Sequence, residues 1–193
     1  MAELTPMTEL EAVNAMLTMI GEQPVISIPG SGISEAALAA NKLHTVSRRI
    51  QKKGLHCNTE ERYPLIPDIS GFMQYPTNVL QMDASNSGVD VVRRGTKFYD
   101  RYNHTFVFTV NELLVDVTWF LDFEDLPEYV REYIGIEAAL EFQKEVFGSE
   151  TINRLHQDRL TEAKAEFIRH EARTDDRTML HAPGVYDVVN RIV

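Results

Sequence analysis

The spacing of apolar residues along this chain changes twice, from helical to alternating and back to helical. Apolar side chains recur at three- and four-residue steps through residues 8–53, at every second position in the clearest part of residues 55–123, and again at helical steps through residues 125–174. Because a segment with a period of two cannot continue a helix, a β region must separate two helical regions. The pattern predicts an α+β fold, a bundle of about four helices with an antiparallel β-sheet inserted between helices 2 and 3.

The apolar stripes predict four helices, over residues 8–21, 34–53, 129–147 and 149–174. The first opens with Thr8 and Glu11, which have the spacing of a capping box. The second ends in four cations that complement the negative end of the helix dipole: Arg48, Arg49, Lys52 and Lys53.

The strongest strand signal lies over residues 113–123. Its apolar positions predict one buried face of a strand: Leu113, Val115, Val117, Trp119, Leu121 and Phe123. Phe106, Phe108 and Val110 repeat the alternation upstream, and the polar residues at 103–104 and 111–112 are candidate turns. We therefore expect an antiparallel meander in which these segments are neighbours, with the Trp119 ring buried.

The length of 193 residues fits one domain. We expect a single subunit over residues 1–193, with a helical part (8–54 and 125–175), a β part (55–123) and a C-terminal tail (176–193). The tail ends in aliphatic residues that would be unusual in solvent: Val185, Val188, Val189, Ile192 and Val193. These five residues are predicted to form an interface, either with their own domain or with a neighbouring subunit.

Composition excludes several classes of protein. The chain has 19 basic and 29 acidic residues and a formal net charge of −10, which argues against a free-standing nucleic-acid binder because such proteins present a basic face to phosphates. The single cysteine, Cys57, excludes an intramolecular disulfide and a zinc site of several thiolates. There is no signal-peptide pattern and no apolar run of about 18 residues, so secretion by that route and membrane insertion are disfavoured.

The sequence contains no complete catalytic or phosphate-binding motif. Gly30-Ser31-Gly32 and Gly95-Thr96-Lys97 lack the other residues of a phosphate-binding loop, so each is interpreted as a turn. A nucleophile elbow is absent. No two of the six histidines have the spacing of metal ligands on a helix: His44, His56, His104, His156, His170 and His181. We expect no catalytic residue, no cofactor and no metal ion.

Six short motifs occur in a fixed order along the chain. They are Asn14-x-x-Leu17-x-x-Ile20-Gly21-Glu22-x-Pro24, Asn58-x-Glu60-Glu61, Leu65-x-Pro67-Asp68, Phe98-Tyr99-Asp100-Arg101, Asn103-His104-Thr105-Phe106 and Phe123-Glu124-Asp125-Leu126-Pro127-Glu128. Each motif is weak alone, but their order and spacing over residues 8–175 resemble the tail tubular protein A family, the adaptors of T7-like short-tailed bacteriophages.

The resemblance implies a structural virion protein and not an enzyme. It implies a ring of twelve copies beneath the portal protein, which continues the DNA channel into a nozzle made of tail tubular protein B, with tail fibres attached near that junction. Such a ring acts as a gatekeeper that closes the DNA-filled head and lets double-stranded DNA pass transiently at ejection. The implied location is the virion tail, after synthesis in the host cytoplasm, with no membrane span.

Two other functions remain open from the sequence. The many carboxylates permit a tail-associated hydrolase that degrades host-envelope polysaccharide or peptidoglycan, with four candidate acids or bases: Glu60, Glu61, Asp122 and Asp125. The cations that end the second helix permit a DNA-handling protein, which would bind duplex DNA in a salt-dependent way. The simpler interpretation of the carboxylates is that they lie on solvated faces. The simpler interpretation of the cations is that they interact favourably with the helix dipole.

Overall fold

The computed structural model describes residues 5–29, 34–85, 89–147 and 150–181, with side chains for all of these except 147, 150–157 and 175–181. Its elements are α1 (Glu9–Met19), α2 (Glu35–Gln51), β1 (Thr59–Leu65), β2 (Val79–Ala84), β3 (Val91–Arg94), β4 (Lys97–Asp100), β5 (Leu113–Trp119), a single 3-10 turn (Phe123–Asp125), α3 (Glu128–Phe147) and α4 (Glu150–His181). The strands lie between α2 and α3, which confirms the predicted α+β class.

The chain divides into two compact units. The helical unit comprises Met1–Ile50 and Asp122–Val193, and the sheet unit comprises Gln51–Leu121. The chain passes from one unit to the other twice, after Ile50 and after Leu121.

The predicted capping box at the start of α1 is confirmed. The Thr8 hydroxyl accepts a hydrogen bond from the Glu11 backbone N–H (3.2 Å), and the Glu11 carboxylate accepts one from the Thr8 N–H (2.8 Å). The bond from the Thr8 N–H, and a second one that the Thr8 hydroxyl donates to the same carboxylate (3.1 Å), hold the pKa of the Glu11 carboxyl below its ordinary value because they favour the charged form. Two helix N–H groups that would otherwise lack partners are thereby satisfied.

Arg131 fastens the segment before α1 to the start of α3. Its guanidinium donates hydrogen bonds to the backbone carbonyls of Leu126 (2.6 Å), Met7 (2.9 Å) and Glu124. The Met7 N–H in turn donates to the Glu128 carboxylate at 2.8 Å. One partly buried cation therefore satisfies three carbonyls in two separate stretches of chain, one before α1 and one before α3.

Aromatic contacts show that α3 and α4 pack antiparallel. Tyr129 stacks on His170 with 4.8 Å between ring centroids and donates a hydrogen bond to Glu171 at 2.6 Å. Tyr133, one turn further along α3, stacks on Phe167, an earlier residue of α4. The helix α4 continues to His181, past the predicted end at residue 174, because no helix-breaking residue occurs before Pro183.

The sheet unit contains a three-stranded antiparallel sheet and a separate β3–β4 hairpin. The strand order β1-β5-β2 places β5 between two strands that lie far from it in sequence. The predicted meander is therefore wrong, although the antiparallel pairing is right. Residues 106–110 form no strand, since their contacts with other segments are isolated bridges such as Phe72↔Val107.

The expected burial of Trp119 is also wrong. The strand β5 ends at Trp119, and its ring is only partly buried. The indole N–H donates a hydrogen bond to the Glu60 carboxylate at 3.1 Å, and the ring meets Tyr63 edge-on at 5.4 Å. An indole N–H requires a polar partner, which the exposed end of β1 supplies.

A bulge in β1 is held by Asp116 of the neighbouring strand β5. The register of β1 shifts between Glu60 and Tyr63, and Arg62 adopts a left-handed conformation with φ 56°. The Asp116 carboxylate accepts hydrogen bonds from the Arg62 backbone N–H (2.9 Å) and from the Ser85 hydroxyl (2.7 Å). These bonds, chiefly the one from Arg62, hold the pKa of Asp116 below its ordinary value.

Two buried amide side chains join the ends of the sheet unit. Gln51 donates from Nε2 to the Leu121 carbonyl and accepts at Oε1 from the Leu121 N–H, both at 2.9 Å. Asn58 donates to the carbonyls of Gln51 (3.1 Å) and Trp119 (2.7 Å) and accepts from the Leu55 N–H (2.7 Å). Both side chains are almost completely inaccessible to solvent, so their hydrogen bonds replace water that cannot reach these groups.

Asn58→Ala should destabilise the protein by about 1–3 kcal/mol, because buried backbone groups of Leu55, Gln51 and Trp119 would lose the hydrogen bonds that this side chain makes. The free energy of unfolding from urea titrations measures the loss. Gln81→Ala removes an exposed amide from β2 and serves as the control, with an expected change within about 0.5 kcal/mol. Equal losses in the two variants would contradict the structural role of Asn58.

Asp116→Asn should make stability less dependent on pH in the acid range. A carboxyl with a lowered folded-state pKa stabilises the fold above its unfolded pKa, and this contribution is lost as the pH falls through the folded-state value. The difference in unfolding free energy between wild type and variant should therefore be largest near neutral pH and shrink below about pH 4. Glu112→Gln, at an exposed carboxylate, is the control. A difference that stays constant with pH would refute this role.

Candidate interaction surfaces

The candidate hydrolase carboxylates are exposed side chains in two separate units. Glu60 and Glu61 lie on β1 of the sheet unit, whereas Asp122 and Asp125 belong to the helical unit. Glu60 is the hydrogen-bond acceptor of the Trp119 indole. General acid catalysis by a carboxyl normally requires desolvated surroundings, and none of these four side chains has them.

The histidines and the cysteine form no metal site within the part of the chain that is described. His44 pairs with Glu9 on α1 at 2.7 Å, and Cys57 is partly buried. No group of three or more His, Cys, Asp and Glu side chains is arranged to hold a metal ion in the described ranges. The side chains of His156 and His181 lie outside them. Among the same residues, no helix has the length and apolar character needed to cross a membrane.

The cation cluster at the end of α2 is divided between different environments. The Arg49 guanidinium lies 2.7 Å from both the Glu137 and the Glu141 carboxylates of α3. The hydrogen bond with Glu141 is the main reason that the pKa of Arg49 is raised. Lys52 and Lys53 are exposed in the turn that follows the helix. Arg48 is exposed as well. Arg49 therefore links two helices, and the three other cations are weak support for a DNA-binding surface.

The ion pair of Arg49 and Glu137 acts on the pKa of a buried phenol, that of Tyr133. Tyr133 on α3 is almost fully buried, and this burial, with the Glu137 carboxylate nearby, raises its pKa to about 12. Lys42, further towards the start of α2, forms an ion pair with Glu145. Ion pairs at Lys42 and Arg49 thus connect α2 with α3. The Tyr133 phenol, with its raised pKa, is neutral at physiological pH.

Three predictions from the sequence remain: a turn at Gly95, a loop at residues 30–32 and a tail interface. Only the first lies within the described residues. Gly95-Thr96 is the two-residue turn between β3 and β4, as predicted, and Gly95 has the positive φ (66°) that this position favours. The Gly30-Ser31-Gly32 loop lies outside the described residues. So do the five residues of the predicted tail interface: Val185, Val188, Val189, Ile192 and Val193.

Sequence reasoning missed a surface on the β3–β4 hairpin where cations lie over aromatic rings. The Arg93 guanidinium carbon lies 4.7 Å from the Tyr75 ring centroid, and that of Arg94 lies 3.6 Å from the Tyr99 centroid. The Lys97 ammonium lies 3.5 Å from the centroid of a third ring, that of Phe72. The only signal in the sequence was the short run of cations around a glycine turn.

Comparison with known families decides the class of protein. The sequence model of the family described as "Tail tubular protein" matches residues 10–177, which is most of the chain. The chain belongs to the tail tubular protein family. The family resemblance of the six sequence motifs is thereby confirmed. A search of curated proteins found no match.

A tail tubular protein is a structural component of the phage tail, so its working parts are interaction surfaces. The sheet unit exposes several large apolar side chains, for example Ile66 (74% exposed) and Tyr102 (78% exposed). Large apolar groups in solvent are typical of surfaces that become covered in an assembly. The candidate site of this tail tubular protein is therefore a set of contact surfaces.

Arg49→Ala should destabilise the protein by about 1–2 kcal/mol, because the partly buried Glu137 and Glu141 carboxylates would lose a charged hydrogen-bond donor. Thermal and urea unfolding measure the effect. Lys52→Ala removes a nearby exposed cation and should leave stability unchanged. If Arg49→Ala is as stable as wild type, the ion pairs with α3 are not structural.

Proposed function

We propose that this chain is the adaptor subunit of a short phage tail. Twelve copies form a ring beneath the portal protein, and the ring continues the DNA channel into the nozzle made of tail tubular protein B. The ring closes the filled head and provides the channel for genome ejection, with tail fibres attached near the nozzle. The observation that carries this proposal is the family match over residues 10–177, together with the order of motifs that resembles tail tubular protein A.

The exposed apolar residues of the sheet unit support a role in assembly. Ile66 and Ile69 lie in the loop after β1 and are both largely exposed. The bridge Phe72↔Val107 places this loop beside a second exposed segment. A monomer that displayed these groups permanently would risk aggregation, whereas a subunit covers them with its neighbours.

The acidic charge supports transient passage of DNA and weak contact with it. A ring of twelve copies would carry a formal charge of −120, twelve times the −10 of one chain. Counterions screen most of this charge beyond about 10 Å, but a channel wall without basic stripes does not retain phosphates. No catalytic step is needed for this function, and no cofactor or metal ion enters it.

The C-terminal residues belong to the proposal as an interface. The proposed single subunit has a helical part, a β part and a tail of residues 176–193. The aliphatic set of the tail would contact another copy or the portal: Val185, Val188, Val189, Ile192 and Val193. The subunit is made in the host cytoplasm and ends in the virion tail.

Purified chain mixed with the portal protein of the same phage should form rings of twelve, visible by negative-stain microscopy and as one large species in sedimentation velocity. A chain truncated after residue 181 should fold, by circular dichroism, but assemble less. A full-length chain that stays monomeric with portal would contradict the adaptor role. Unchanged assembly of the truncated chain would show only that the tail is not an interface.

A further inference from the structure

Two cations lie directly opposite each other across the β3–β4 hairpin. Arg94 and Lys97 are partners in the antiparallel register, on either side of the Gly95-Thr96 turn. Like charges at opposed positions destabilise a β pair. Neither cation forms an ion pair with any carboxylate in the described part of the chain. This local arrangement therefore weakens the hairpin, as is common at functional positions.

Aromatic rings hold both cations in place. Arg94 lies over the Tyr99 ring and Lys97 over the Phe72 ring, while Phe106, which is 38% exposed, meets Tyr99 edge-on at 4.9 Å. These five residues are called the cationic face below. A guanidinium stacked on a ring keeps its in-plane N–H groups available, so Arg94 is prepared to bind an oxyanion with little loss of side-chain freedom.

The composition of the cationic face suits a protein carboxylate better than nucleic acid. Arginine and aromatic residues are enriched in the centres of protein interfaces. Duplex DNA binding depends instead on many phosphate contacts, whereas the sheet unit has 7 basic and 8 acidic residues over Gln51–Leu121, a net charge of −1. The partner is therefore expected to be an acidic protein surface.

The helical unit of the same chain carries the complementary charge. It holds the remaining −9 of the total of −10. Its densest run of exposed carboxylates surrounds the 3-10 turn and comprises Asp122, Glu124 and Asp125, called the acidic turn below. No side-chain oxygen of these three bonds to another described residue, and Asp122 makes no capping hydrogen bond although it precedes the turn.

We propose that the cationic face of one copy binds the acidic turn of a second copy. The inference rests on the proposed ring, because a cyclic ring is built from heterologous contacts in which two different surfaces of the same chain meet. Two surfaces of opposite charge, whose charged groups form no ion pair with described residues of their own chain, meet that requirement. Arg94 would form the charged hydrogen bonds, and the rings beside it would exclude water from them.

A charge-swap series tests the contact in sedimentation velocity, on the full chain with and without portal protein. R94E/K97E should weaken association by about tenfold or more, as should E124K/D125K, because each opposes like charges at the interface. The combined variant R94E/K97E/E124K/D125K restores opposite charges and should recover most of the association. K52E/K53E makes the same change of charge on exposed lysines of the sheet unit and should assemble like wild type.

Circular dichroism of every variant separates lost contacts from lost folding, and E124Q/D125N replaces E124K/D125K if the latter does not fold.

Assembly of R94E/K97E equal to wild type would overturn this contact and leave the ring proposal intact. Loss in R94E/K97E without recovery in the combined variant would assign the cationic face to portal or another partner. Retardation of duplex DNA by wild type that R94E/K97E abolishes would make it a nucleic-acid surface. A wild type that never assembles would contradict the ring itself.

Discussion

The buried amides of Gln51 and Asn58 fix the two ends of the sheet unit to each other. Gln51 is the first residue of this unit, and its side chain makes both backbone hydrogen bonds that Leu121, the last residue, has available. Asn58 adds bonds to Gln51, Leu55 and Trp119. These side-chain hydrogen bonds hold the two ends of the unit together, so the strands and loops between the ends do not have to. Those segments can therefore present contact surfaces.

Both units combine internal polar contacts with exposed apolar side chains, which fits a structural component of the phage tail. The helical unit is fastened by internal polar contacts, such as Arg131 on three carbonyls and Arg49 on two carboxylates. The sheet unit leaves cations and large apolar groups at its surface, among them Arg94 and Ile69, and the helical unit also exposes an apolar side chain at Ile26. Surfaces that combine aromatic rings, arginine and large apolar groups are typical of contacts with other molecules. Membership of the tail tubular protein family supplies the setting, which is a phage tail.

Local signals in the sequence were sufficient to predict the helices, the class of fold and the family. The Thr8 and Glu11 capping box, for example, depends on residues three positions apart. The neighbours of β5 could not be predicted, since alternation identifies the buried face of a strand and not its partners. The alternation at residues 106–110 was misleading because backbone contacts at Asp100 and Gly71 hold this segment in turns and bridges. The cationic face was hidden because Phe72 reaches Lys97 only through the tertiary fold.

As the proposed adaptor, this chain would lie at the junction between head and tail of the virion. Cryo-electron microscopy of intact virions tests it most directly, because position, copy number and fold are read from the same density. We expect twelve copies between portal and nozzle, each with four helices and a sheet unit of the observed strand order. Virions that lack this chain, or that hold it away from the portal junction, would rule out the adaptor role.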